Sequence, residues 1–344
     1  MGQAVGIKQV ARAAGVSVGT VSNVINRPES VSDDTRARVL YAIEQLGYVR
    51  SESARQLRAG RSRIIALLVL DMANPFFVDV ATGAERAARA TGLGVMLCNS
   101  AQSPVEEATY LSLFAEHRVR GVLVTPADTT GRNLARFARH GIAYVTVDRV
   151  VPSAEGCSVS VDDVAGGALA VRHLLDQGHA DLAYVSGSMR LTQCRDRHLG
   201  ARGALRGTGA RLRHIEAERL DVAAGRDAGA RLLGMSPRPS AVFCANDLLA
   251  LGVLQALYGA GVSVPDEVAL VGYDDIEFAA AAAVPLTSVR RPAQRMGRIA
   301  ADLLIEETGE DAETGEDAGS HEHQRVVLQP ELVVRESSLR SPRL

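Results

Sequence analysis

At 344 residues, with 47% hydrophobic and 23% charged side chains, the chain is long enough for two or three globular domains. No apolar run reaches the length of a bilayer-spanning helix. The opening MGQAVGIKQVARA also lacks the apolar core of an export signal, so a cytoplasmic protein is expected. The net charge of -2 hides an asymmetry: residues 1–63 carry ten basic side chains against five acidic ones, which leaves -7 for the remainder. A basic module on an acidic body is the footprint of phosphate binding at one end. The four cysteines, Cys98, Cys157, Cys194 and Cys244, are far apart and show no metal-ligand spacing. Cys98 and Cys244 lie in apolar runs and read as small core residues. His321-Glu322-His323 reads as an incidental feature of a low-complexity tail, and no metal, cofactor or catalytic residue is expected.

The chain begins with two short helical patterns joined by a turn. Ile7, Val10, Ala11 and Ala14 recur at helical spacing, and Gly15 can end that helix in the left-handed conformation. Ser17 is placed to cap the next helix. That helix buries Val21, Val24 and Ile25 and presents Ser17, Val18, Gly19, Thr20, Ser22, Asn23 and Asn26. Helix, glycine turn and a short helix with small polar residues at its start make a helix-turn-helix, whose second helix enters the DNA major groove N-terminus first. Gly15-Val16-Ser17-Val18-Gly19 also matches G-x-S-x-G, but a nucleophile elbow needs a strand before its serine, and here a helix precedes it. A third helix is expected from Ser32 as its cap to Gly47, with Val39, Ile43 and Leu46 as its buried stripe.

The pattern V-A-x-x-A-G-V-S-x-x-T-V-S-x-x-x-N, from Val10 to Asn26, resembles the lactose-repressor (LacI) family of transcriptional regulators, and the resemblance continues along nearly the whole chain. It implies a headpiece over 1–50, a hinge helix over 51–62 that folds on DNA, and an effector-binding and dimerisation domain over 63–344. In the hinge, Ala54 and Leu57 match DNA-contacting positions of the family, the leucine wedging into the minor groove. Arg50-Ser51 departs from the Pro-Asn common there.

From Arg63 onward, Val/Leu/Ile strands alternate with helices. Strands are expected at 64–70, 93–98, 121–125, 143–147, 158–161, 182–186, 241–245, 268–272 and 287–289, which implies parallel sheets covered on both faces. The resemblance implies two doubly wound lobes like those of periplasmic sugar-binding proteins: lobe one over about 63–162 and 291–306, lobe two over about 163–290 and 324–336. Residues 307–318 repeat ETGEDA twice, and 307–323 reads as an acidic, disordered surface loop before a last strand, RVVLQPELVV. No leucine heptad follows.

Ligands of doubly wound sheets bind beyond the carboxyl ends of the strands. Polar residues gather there: Asp71, Asn74, Asp148-Arg149, Arg195 and Arg197, Asn246-Asp247 and Asp274-Asp275, with Phe76 and Phe77 beside them. The N-P-F-F, D-R, R-x-x-G, A-N-D and G-Y-D-D motifs fall on these positions. By resemblance, Phe76, Asp148, Arg149, Arg197, Asn246 and Asp274 are expected to bind the effector, with Arg195 as in some relatives, and Phe77 is expected to join them as the second strand-end aromatic. Leu220 stands where relatives place an aromatic residue, and Arg290-Arg291-Pro292-Ala293 offers no aromatic either. The expected protein is a homodimeric regulator, most plainly a repressor. Two headpieces would read a near-palindromic operator, under the control of a small effector, a sugar, bound between the lobes. No G-x-G-x-x-G follows a strand, and no phosphate loop or nucleophile arrangement occurs, which argues against a doubly wound enzyme.

Overall fold

The computed structural model describes residues 5–48, 62–150, 156–309 and 321–339. Two units divide the chain, Met1–Ser62 and Arg63–Leu344. The hinge residues Ala54 and Leu57 lie outside the described residues.

The first unit holds α1 (Ile7–Ala14), α2 (Val18–Asn26) and α3 (Asp33–Leu46). Gly15 ends α1 with φ 65°, the left-handed turn that only glycine adopts without a Cβ penalty. Ser17 Oγ accepts from Thr20 N at 3.0 Å and starts α2. Val10, Ala11, Ala14, Val21, Val24, Val39 and Ala42 form the core, with Ile7, Ile25, Ile43 and Leu46 half-buried around it. Ser32 occupies the cap position of α3, but its hydroxyl donates to Thr35 Oγ1 instead of accepting from the helix.

The second unit contains two six-stranded sheets. The first, ordered β11-β5-β4-β3-β1-β2, is parallel throughout. Its strands are β1 (Ile64–Val69), β2 (Gly94–Asn99), β3 (Gly121–Val124), β4 (Tyr144–Val147), β5 (Cys157–Val161) and β11 (Arg325–Leu328). The second is ordered β12-β10-β9-β8-β6-β7. It comprises β6 (Asp181–Ser186), β7 (Arg211–Glu216), β8 (Ala241–Cys244), β9 (Ala269–Asp274), β10 (Thr287–Arg290) and β12 (Glu331–Val333), the last antiparallel to β10. Most inner strands are buried along their whole length, as continuous apolar runs covered by helices on both faces require.

Helices α4 (Pro75–Ala90), α5 (Pro104–Glu116), α6 (Arg132–Ala138) and α12 (Ala293–Glu307) serve the first sheet. Helices α7 (Asp163–Asp176), α8 (Thr192–Ala204), α9 (Val222–Leu233), α10 (Asp247–Gly259) and α11 (Glu277–Ala281) belong to the second. The chain passes between the two sheets after β5, after β10 and a third time between β11 and β12. RVVLQPELVV is two strands, not one: β11 pairs with β5 in the first sheet and β12 with β10 in the second. Pro330 separates them, since proline cannot donate to a ladder, and residues 325–328 therefore leave the lobe expected for 324–336.

The expected loop 307–323 also narrows. Glu307 ends α12, the Arg120 guanidinium donates to Thr308 O at 2.7 Å, and His321 and His323 lie against Cys157. Strand β7 was not anticipated. It is a sheet edge reading RLRHIE, with Arg211 and Arg213 paired to Asp181, and it carries no apolar run to signal it.

Candidate functional site

Asp148 follows β4 of the first lobe and Asp274 ends β9 of the second. Both have positive φ, 63° and 105°, conformations that a non-glycine residue holds only where its surroundings enforce them. Arg291, in the crossover between β10 and α12, joins the two. Its Nη1 donates to Asp148 Oδ1 and its Nε to Asp274 Oδ1 at 2.9 Å. All three are nearly inaccessible, Arg291 at 5% exposure. The guanidinium lies 3.4 Å from the ring centroid of Phe76. Stacking on an aromatic face and a forked pair of acceptors are what a planar guanidinium needs to tolerate burial.

Two further contacts cross between the lobes. Asn74 Nδ2 donates to Asp274 Oδ2 and Gln193 Nε2 donates to Asp148 Oδ2, each at 3.1 Å. Burial pushes the Asp148 carboxyl above its ordinary range, opposed by Arg291 and reinforced by Asp163.

The cleft around this bridge leaves a cavity of about 40 Å³, room for a few waters. It is lined by Leu70, Asp71, Asn74, Phe77, Gln102, Asp148, Leu191, Gln193, Cys194, Arg197, Leu220, Asn246, Asp274 and Arg291. The local folding explains several of these. Asn74 caps α4 by accepting from Phe76 N at 3.0 Å, and Pro75 takes the first helical position, where its missing N–H costs nothing. That start turns Phe77 into the cleft while Phe76 packs beneath Arg291. Asn246 caps α10 by accepting from Leu249 N at 2.9 Å, and its amide donates to Leu220 O at 3.0 Å. Arg197 Nε donates to Asp163 Oδ1 at 2.8 Å, and its guanidinium lies 3.7 Å from the Tyr273 ring centroid. Asp247 accepts from Ser288 Oγ at 2.7 Å and from Ile276 N at 2.9 Å. An added Cβ at Gly272 would meet Asp247 Oδ1, so the A-N-D and G-Y-D-D motifs lock together.

Of the eight residues expected in the cleft, Phe77, Asp148, Arg197, Asn246 and Asp274 line it. Phe76 backs the wall from below. Arg149 turns away and donates to the carbonyls of Asp128 and Thr129, at 2.6 and 2.9 Å. The Arg195 side chain is 59% exposed and faces Asp196. Arg195 and Arg197 are two apart on α8, so the helix aims them to different sides. Arg291, Gln193 and Asn74 were not among the expected binders. An arginine directly before the proline that opens α12, beyond the end of a buried strand, was the available signal for Arg291.

On α2, Ser17, Val18, Gly19, Asn23 and Asn26 are exposed, and Thr20 and Ser22 are half-buried. Asn26 Nδ2 donates to Ser22 O at 2.7 Å, and Ser17 Oγ and Thr20 Oγ1 share a hydrogen bond at 2.9 Å.

Comparison with known proteins bears on both modules. Residues 6–51 match the family described as bacterial regulatory proteins, lacI family, and residues 171–338 match a periplasmic binding protein-like domain. The HTH-type transcriptional repressor PurR of Vibrio campbellii is 34% identical over 337 residues, 96% of this chain and 97% of that protein. The PurR repressor of Vibrio parahaemolyticus is 36% identical over 334 residues, again 96% and 97%. A solved complex of the transcriptional regulator CelR with cellobiose is 32% identical, covers 97% of this chain and 99% of its own, and superposes with a TM-score of 0.69. The lac repressor dimer bound to operator and the anti-inducer ONPF shares the fold at a TM-score of 0.81, with 24% identity over 98% of this chain and 100% of its own. A DNA-binding headpiece, a ligand-binding sensor of two parallel-sheet lobes and repressors as relatives along almost the entire length describe a regulator and not an enzyme: the chain belongs to the lacI family of DNA-binding transcriptional repressors.

Proposed function

We propose that this repressor acts as a homodimer on a near-palindromic operator, and that a neutral polyhydroxylated effector, a sugar, bound in the interlobe cleft sets its operator affinity. The observation that carries the reading is the Asp148–Arg291–Asp274 bridge, with Asn74 and Gln193 reaching across it. Carboxylates accept from hydroxyls, and the amides and guanidiniums donate to them. Phe77, Leu70, Leu191 and Leu220 cover C–H faces. Both arginines that line the cleft among the described residues are already committed to carboxylates, which disfavours a phosphate. The CelR complex with cellobiose supports the same class.

A ligand shifts the lobes only by binding one arrangement better than the other. Lobe one begins at Ile64, directly after the hinge segment 51–62, so a change in lobe angle would be passed to that segment. The test is a thermal-shift screen of neutral sugars, sugar phosphates and nucleobases. A bound effector stabilises the state it binds. Neutral sugars should give the largest shifts. A larger shift from a sugar phosphate or a nucleobase contradicts the assignment.

Asp274→Asn keeps the shape and removes the charge. Losing a charged acceptor costs about 1.5–3 kcal/mol, so the variant should bind operator yet need at least roughly tenfold more effector to respond. A normal response would mean that the bound ligand does not use Asp274.

On α2, Val18 and Gly19 replace larger base-reading side chains, and Asn23 is the exposed amide, suited to the adenine edge. Asn23→Ala should change the ranking of operator sequences in a binding selection. An equal loss on every sequence would assign Asn23 to phosphate contact.

A further inference from the structure

The fold assembles a second cluster away from the cleft. The cleft residues follow the carboxyl ends of β1 and β4, whereas Cys157 opens β5 at the amino end of the same parallel sheet. The register that pairs Ser158 with Arg325 sets Gln324 beside Cys157, with Gln324 N donating to Cys157 Sγ at 3.3 Å. His321 and His323, two residues apart, are both half-buried while Glu322 between them is exposed, the alternation of an extended segment. His321 Nε2 lies 3.1 Å and His323 Nδ1 3.8 Å from Cys157 Sγ. Helix α12 ends beside them at Glu307, whose Oε2 is buried and has no hydrogen-bond partner. One ligand atom from each of Cys157, Glu307, His321 and His323 lies within 4.8 Å of the others.

We propose that these four side chains form a tetrahedral site for a zinc-class divalent ion. Zinc bonds of about 2.0–2.3 Å to nitrogen, oxygen and sulfur place tetrahedral ligand atoms about 3.3–3.6 Å apart, so closing the cluster on an ion needs a contraction of at most about 1.5 Å. One thiolate, two imidazoles and one carboxylate select zinc or cobalt over magnesium or calcium. Four protein ligands close the coordination sphere, the mark of a structural ion rather than a catalytic one. The Gln324 amide on the sulfur is the kind of outer contact that orients a thiolate ligand. The bound ion would tie the end of α12 to the entry of β11, across the acidic repeat that joins them. The histidine pair that the sequence alone left as incidental is thus half of the donor set.

The test uses the tag-free full-length protein, stripped with a chelator and titrated with Zn²⁺ against a chromophoric competitor, and in parallel with Co²⁺. The expected result is one ion per chain, with Co²⁺ giving a thiolate charge-transfer band and the intense visible bands of tetrahedral cobalt. Cys157→Ser should abolish the charge-transfer band, and His323→Ala and Glu307→Gln should each weaken Zn²⁺ by at least about tenfold. Metal-free melting curves establish that the variants fold. Should Cys157→Ser not fold, the cobalt spectrum of the unaltered protein decides alone. Absent thiolate bands, or Zn²⁺ binding unchanged in His323→Ala and Glu307→Gln, overturns the site.

Discussion

Replacing Arg291 with methionine should lower the stability of the sensor unit by about 3–5 kcal/mol, because one cation holds two buried carboxylates. Asp148 and Asp274 would then face each other without the guanidinium between them. Without the cation that opposes it, burial raises the Asp148 carboxyl further above its ordinary range. A carboxyl whose folded pKa lies above its unfolded one contributes stability at low pH and loses it as pH rises through the folded value. The melting-temperature gap between variant and parent should therefore widen from pH 5 to pH 8. Adding Asp148→Asn and Asp274→Asn to Arg291→Met should close much of that gap, since neutral partners of the same shape remove the unpaired charge. The triple variant should remain blind to effector while still binding operator. A gap that is flat with pH would show that Arg291 acts through packing on Phe76 and not through its charge.

The second large effect concerns the contact of α4 with α12, the helix that begins two residues after Arg291. An added Cβ at Gly297 would lie 1.9 Å from Val80 O, and one at Gly83 would lie 1.9 Å from Gln294 O. The two backbones touch at reciprocal glycines, and neither can yield by a side-chain rotation. Gly297→Ala must push the helices apart and carry the start of α12 with them. About 3 kcal/mol is expected from such overpacking, a fall in melting temperature of roughly 6–12 °C, together with a weakened effector response. Gly203→Ala is the control: it sits on α8 with open space at its Cβ, and alanine is the better helix former, so it should be neutral or stabilising. Equal melting of Gly297→Ala and the parent would show that the crossing is looser than its geometry.

Much of the architecture was legible because local chemistry and pattern agreed. Gly15 and Ser17 mark the turn of the headpiece, and the buried strands read as unbroken apolar runs. What escaped had a weak local signal or none. Strand β7 is an edge whose arginines pair with Asp181, so it lacks an apolar stripe. The split of RVVLQPELVV depends on which sheet each half can reach, and only the assembled sheets decide that. Within the cleft, the strand-end rule found the carboxylates, since they stand where parallel strands stop. Arg291 also stands just past a strand end, but its role comes from lying between two lobes and over Phe76, which the strand-end rule does not show. It also kept Arg149, because a sequence does not show which way a strand-end side chain turns, while Arg195, expected from the family resemblance, lies two residues from Arg197 on α8 and is aimed to another side. The cysteine–histidine cluster is more remote still: Cys157 meets His321 across 164 residues of chain.

The most direct test of the account is an operator-binding titration. A duplex selected by the protein from a random near-palindromic pool is labelled and followed by fluorescence anisotropy at fixed salt, with and without the sugar that gives the largest thermal shift. The account predicts that this sugar changes the operator dissociation constant of the parent at least roughly tenfold, a coupling of about 1.4 kcal/mol, and leaves that of the Arg291→Met, Asp148→Asn, Asp274→Asn triple variant unchanged. An operator affinity in the parent that is indifferent to a sugar shown to bind, or a triple variant that responds like the parent, would contradict it.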